Sequence, residues 1–362
     1  VHSLHSLRPA KVLQFPWLII FIHGTVAAPF SPFSSLKLAK DELDGTLYQK
    51  ALMEVRDSEL LYKNCLMLPK KGLCEIDLKK INTDENKNYA AFRFIKFYKE
   101  VFECVNQNTE QHFYYTYEWS GALSQKERRL ESIKFNNALV DLLSQYGKKR
   151  IYPKIRIFAH SHGGNVSLNL GAVRNYIRNK LNLDSVKKKS NIDEVNSTQE
   201  ISNLIDSLPD KALASEIQKK NCEYRPMFDV VVDELILFGT PIQPETECFC
   251  VSGAFEKVYN FYSPNDMVQC IDVLSTRKNP WRRTFGDNYV KQAKNKIIQK
   301  KIFTKPGHIE MWKIKNDEIP AVILAPIFMH DQDSKKLFDK FKDTLGHIKN
   351  ELITWHSNIT KT

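Results

Sequence analysis

Apolar positions along this chain gather into short unbroken runs, each cut off by glycine, proline or another small residue. Trp17-Leu-Ile-Ile-Phe-Ile22 stops at His23-Gly24-Thr25, Ile155-Arg-Ile-Phe158 at Ala159-His-Ser-His-Gly-Gly164, and Leu235-Ile-Leu-Phe238 at Gly239-Thr240-Pro241. Phe113-Tyr-Tyr-Thr-Tyr117 precedes Glu118-Trp-Ser-Gly121, and Val258-Tyr-Asn-Phe-Tyr262 precedes Ser263-Pro-Asn-Asp266. Lys296-Ile-Ile-Gln-Lys-Lys-Ile-Phe303 is a sixth candidate. Short β-branched runs of this kind, bounded by turn residues, predict strands buried on both faces, as in a parallel sheet.

Between the runs the period changes from continuous to helical. Ala91, Phe94, Ile95, Tyr98, Val101, Phe102 and Val105 predict one amphipathic helix over 89–105. Ser124-Gln-Lys-Glu127 has the form of a capping box. It opens a helix whose Leu130, Ile133, Leu139, Leu142 and Leu143 face inward and which Gly147 should close. Strands alternating with such helices imply a mostly parallel sheet with helices on both faces.

Composition narrows the class. The 362 residues, 42% hydrophobic with 21 Phe, suffice for a large core. The longest apolar run, Pro16–Ile22, is far too short to span a bilayer. A soluble protein is expected, with its compartment open. The chain opens on Val1, which suits an exported protein whose leader is removed, although residues 1–14 do not read as a signal peptide. The seven cysteines are scattered, and Cys248-Phe-Cys250 lacks a second pair at zinc-finger spacing. A net charge of +11 raises the question of nucleic acid. However, the basic residues are dispersed and no nucleic-acid-binding motif accompanies them, so contact with an anionic membrane or lipid interface is the better expectation.

The chemistry lies at the strand ends, which a parallel sheet gathers on one edge. Ser161 sits where a strand should turn sharply into a helix. Ala159 and Gly163 let strand and helix pass closely, and Gly164 lets the helix lie on the sheet. That is the spacing of a nucleophile elbow with alanine in its first glycine position. A helix start just beyond the serine favours a developing oxyanion. Serine needs a base and an orienting acid. Asp266, in a Pro-Asn-Asp turn, and His308, in Lys-Pro-Gly-His, follow strand candidates in the order Ser, acid, His. Asp272 is the reserve acid, and His330, after the run Val322–Met329, is the rival base. The Thr25 and His162 amides are candidates for a two-donor oxyanion hole. The competing reading of His160-Ser-His162 is a metal pair, but no acidic residue follows closely to complete it. Trp119-Ser120-Gly121 is expected to be a structural turn.

Taken in order, HGT, WSG, AHSHGG, FGTP, SPND and PGH resemble the α/β-hydrolase superfamily and, within it, lipases and serine esterases. The resemblance spans about residues 15–310. It implies a roughly eight-stranded sheet in one domain over 1–362, an ester substrate of lipid or acyl type, and no cofactor or metal. Thioesterase or amidase chemistry would use the same triad, and a catalytically silent binding protein could keep the same fold. Segments 25–88 and 181–226 have no counterpart and are read as insertions. The first leaves the carboxyl end of a strand, so it can cap the site. There Phe30 and Phe33 could line an acyl pocket or simply anchor the insertion to the core. The second leaves a helix, so it begins on the far edge, and its Ile201, Leu204, Ile205, Leu208 stripe is expected to pack there rather than form a lid.

Overall fold

A computed structural model describes residues 15–24, 72–80, 94–95, 98–99, 112–121, 125–180, 230–266 and 282–302. Within them lies one seven-stranded sheet. Its strands are β1 (Trp17–Ile22), β2 (Gly72–Glu75), β3 (His112–Glu118), β4 (Lys154–His160), β5 (Val232–Phe238), β6 (Phe255–Tyr262) and β7 (Ile297–Lys301). Their order across the sheet is β2-β3-β1-β4-β5-β6-β7. All neighbours pair in parallel except β2, which runs antiparallel to β3 with Leu73 opposite Tyr117. Each of the six predicted runs is a strand. β2 is the addition: it falls late in segment 25–88, so that part of the expected insertion belongs to the sheet edge.

The pleat explains why the runs are continuous. Leu18, Ile20 and Ile22 enter one core with Ile133, Phe135, Leu139, Val166 and Val173. These partners lie on α1 (Gln125–Lys148), α2 (His162–Leu168) and α3 (Leu170–Lys180). The alternate residues face the other way, where Phe21 stacks on Phe158 at 5.4 Å and Phe94 meets both rings. Phe94, Ile95 and Tyr98 are helical and buried, as the 89–105 pattern predicts for those positions. Each such ring taken fully out of water contributes roughly 1.5–3 kcal/mol, and the polar residues these strands do bury, such as Arg156 and Glu234, are paired with each other.

Helix α1 begins directly after Ser124, but it does not close at Gly147. It continues to Lys148, and Arg150 (φ 58°) takes the left-handed position instead. The Arg150 and Ile151 N–H groups donate to the Gly147 and Tyr146 carbonyls, which satisfies the last turn and redirects the chain into β4. Two short helices follow later in the chain, α4 (Pro244–Glu247) and α5 (Asp287–Ala293). Cys248 and Cys250 are buried in the core as free thiols, and burial pushes the Cys250 thiol pKa up, so it stays protonated and packs. Among the described residues no helix is long and apolar enough to cross a membrane.

Candidate active site at the β1–β4 edge

The order of strands locates a crevice before any side chain is considered. From β1 the chain moves to β2 and then β3 on one side, whereas from β4 it moves to β5 on the other. Adjacent parallel strands whose connections diverge leave an opening at their carboxyl ends, and ligands bind at such switch points. β1 and β4 are that pair, in register with Ile22 opposite Ala159. The residues just beyond them are Gly24 and Ser161.

Ser161 occupies the single-residue turn between β4 and α2. Its φ of 51° and ψ of −133° lie where residues with side chains are rarely found. Two backbone bonds hold it there. Its N–H extends the β4–β5 ladder to the Phe238 carbonyl at 3.1 Å, and its own carbonyl accepts the Gly164 N–H at 2.9 Å. Its neighbours are small because nothing larger fits. A β-carbon on Gly24 would lie 2.5 Å from Ser161 Cβ and 3.2 Å from both Ser161 Oγ and His160 Nδ1. One on Gly163 would lie 2.3 Å from the His23 carbonyl, and one on Gly164 only 2.2 Å from Thr240 Oγ1. The elbow is thus wedged between the ends of β1 and β5. Ser161 itself is 2% exposed.

The end of β1 is held as firmly. Trp119, fully buried after β3, donates its Nε1–H to the His23 carbonyl at 2.8 Å and stacks parallel to the His23 ring at 5.6 Å. The Trp119 backbone N–H reaches His23 Nε2 at 3.3 Å, and Glu118 Oε2 lies 3.4 Å from the same nitrogen. His23 Nδ1 donates to the Gly24 carbonyl at 2.6 Å. The expected structural turn at Trp119 therefore also clamps the strand that borders the serine.

A second polar set ties α2 to the exit of β5. Asn165, fully buried, donates to the Pro241 carbonyl at 3.0 Å and accepts from Thr246 Oγ1 at 2.6 Å. Its Nδ2 is 3.4 Å from His162 Nδ1. Gln243 accepts from Arg128 of α1 at 3.2 Å. Asp266 lies on the same sheet edge, in the turn after β6, and is fully buried. Its N–H donates to Ser263 at 3.2 Å, and Arg283 Nη2 donates to the Asp266 and Pro264 carbonyls, both at 3.1 Å. Ser161, His162, Gly24 and Asp266 therefore share one edge. Thr25, Phe30, Phe33, Asp272, His308 and His330 lie outside the described residues, as does segment 181–226. Among the described residues no three His, Cys, Asp or Glu side chains gather as a metal site.

Comparison with protein-family models, curated proteins and solved structures finds no match for this chain. The site's own geometry is what a functional reading rests on. That geometry adds His23, Glu118, Asn165 and Thr246 to the sequence-derived set. His23 and Glu118 stand in stretches that the sequence singles out, but their pairing has no local signal, because the partners are distant in sequence, as with the separation of 96 residues between His23 and Trp119.

Proposed function

We propose that this chain is a serine hydrolase of α/β-hydrolase type that cleaves carboxylic esters of lipid or acyl character. One observation carries the reading. A serine stands in a positive-φ strand-to-helix turn at the switch point of a parallel sheet, with a glycine of the neighbouring strand end packed against it. Strain of about 1–3 kcal/mol at a single residue persists only where the surroundings enforce it, and such residues cluster at active sites. The order of Ser161, Asp266 and His308 along the chain gives further support.

In this reading Ser161 Oγ attacks the ester carbonyl while His308 takes its proton. Asp266 fixes the imidazole tautomer, and the Thr25 and His162 amides hold the oxyanion. Collapse expels the alcohol, protonated by His308, and water then releases the acid from the acyl-enzyme by the same route. The test is Ser161→Ala. It should retain the wild-type melting transition, lose fluorophosphonate labelling and lose hydrolysis of a p-nitrophenyl ester panel. Labelling of the variant at the wild-type rate would remove Ser161 from the mechanism. A folded wild-type protein that neither labels nor hydrolyses would favour the silent binding fold.

A further inference from the structure

We infer that Arg283 is a positioning residue for Asp266, an inference that rests on the serine-hydrolase reading above. Its Nη2 donates to the Pro264 carbonyl and to the Asp266 carbonyl, both at 3.1 Å. Ser263 takes up the N–H groups of the same turn. The Asn265 N–H donates to Ser263 Oγ at 3.2 Å, and the Asp266 N–H donates to the Ser263 carbonyl at 3.2 Å. Each peptide group is planar, so a bond to its N–H or its C=O limits rotation of the whole plane. The planes on either side of the Asp266 Cα are therefore both held, one by Ser263 and the other by Arg283. Together they set φ and ψ of Asp266, and hence the direction of its Cα–Cβ bond. That direction decides where this fully buried carboxylate can reach.

Arg283 is itself fixed by the neighbouring strands. Asn260 of β6 donates to the Arg283 carbonyl at 2.9 Å and to Gln299 Oε1, its neighbour on β7, at 3.3 Å. Gln299 also accepts the Phe285 N–H at 2.7 Å, and Phe285 is buried in the core. On the other side the Ile242 N–H, beyond β5, donates to the Arg282 carbonyl at 3.1 Å, while Arg282 Nη1 donates to both oxygens of Glu247. Segment 282–286 is thus a brace between the exits of β5 and β6, and Arg283 is the point at which it meets the acid. A planar guanidinium directs its N–H groups at fixed angles, whereas a lysine ammonium on a flexible stem does not.

The test asks whether Arg283 acts through Asp266, by a double-mutant cycle read as kcat on p-nitrophenyl esters. Asp266→Ala should lower kcat on the order of 10⁴-fold, the scale for a triad aspartate. Arg283→Gln leaves the acid in place but releases its turn. It should lower kcat on the order of a hundredfold, the effect of a small misplacement, with KM little changed. Arg283→Lys should recover part of that loss. In the Asp266→Ala background, Arg283→Gln should change the residual rate by less than about twofold, because the residue it positions is gone. Equal fold-losses in the two backgrounds would assign Arg283 to general packing and overturn the inference. Wild-type kcat in a folded Arg283→Gln protein would do the same. If Arg283→Gln does not fold, the cycle with Arg283→Lys, expected to lose about tenfold, is judged by the same outcomes. Wild-type kcat in Asp266→Ala would end the inference yet leave Ser161 as the nucleophile, as long as the wild type labels there. A wild type that neither labels nor hydrolyses ends both.

Discussion

The backbone of Ser161 makes stability and reactivity compete at one residue. At φ 51° any β-carbon is strained, and glycine alone is at ease there. In an ordinary helix or strand, alanine is more stable than glycine. Here the order should invert. Ser161→Gly should exceed Ser161→Ala in unfolding free energy by about 1 kcal/mol, the relief of strain less the entropy that glycine adds to the unfolded chain. Paired denaturant titrations of the two inactive variants measure this directly. If alanine proves the more stable, the turn is not strained in solution. The serine and its small neighbours are legible in the sequence because a tight turn restricts side-chain size locally. The clamp on His23 is not. The HGT motif points to Gly24 and Thr25, while the residues that fix the ring, Glu118 and Trp119, come from the end of β3.

At the scale of elements, the site depends on how closely α2 lies against the exit of β5. Gly164 faces Thr240, whose Oγ1, Cγ2 and Cβ would all lie within 2.9 Å of an added methyl group. Thr240 is fully buried and cannot swing away. Gly164→Ala should therefore destabilise the protein by about 1–3 kcal/mol, the usual cost of overpacking. Thr240→Ala removes the two nearest atoms, so the double variant should lose less than the sum of the two single ones. Strictly additive losses would show that α2 has shifted away from this contact. The elements themselves divide by the strength of their pattern. Five runs in the middle of the sheet are largely buried on both faces and readable as continuous apolar stretches, and the edge run of β7 is readable from its two adjacent isoleucines. β2 is a four-residue edge strand, half exposed, with Leu73 its one large apolar residue, and it offers neither run nor alternation. The end of α1 misleads for a different reason. Glycine is the usual residue in a left-handed cap, but here Arg150 takes that conformation two residues beyond the helix.

Across the whole molecule the two ends of the sheet have different duties. The carboxyl ends carry the serine turn, and the amino ends carry a buried charge cluster. Arg156 of β4 pairs with Glu234, its neighbour on β5, donates to the Tyr98 hydroxyl and lies 4.2 Å from the Trp17 ring centre. Burial is the largest single influence and opposes the guanidinium charge, but the Glu234 carboxylate together with Tyr98 and Tyr259 outweighs it and leaves the Arg156 pKa raised. Such a pair contributes little net stability, yet it is costly to break from one side. It also acts on His112 at the start of β3. That ring lies 5.6 Å from Tyr98 and 6.2 Å from Tyr114, whose hydroxyl is 3.5 Å from His112 Nδ1. Burial, and then the Arg156 charge, lower the His112 pKa from 6.5 to about 4. The sign follows from proton counting. Between these two values the unfolded chain binds a proton at this position and the folded chain does not. The stability associated with neutral His112 is therefore complete above pH 6.5 and is lost as the pH falls from 6.5 to about 4. His112→Gln removes the titration, so its melting temperature should fall less steeply than the wild type's over that interval, whatever its value at neutral pH. Parallel slopes for the two proteins would mean that His112 takes up its proton in the folded state as easily as in the unfolded one.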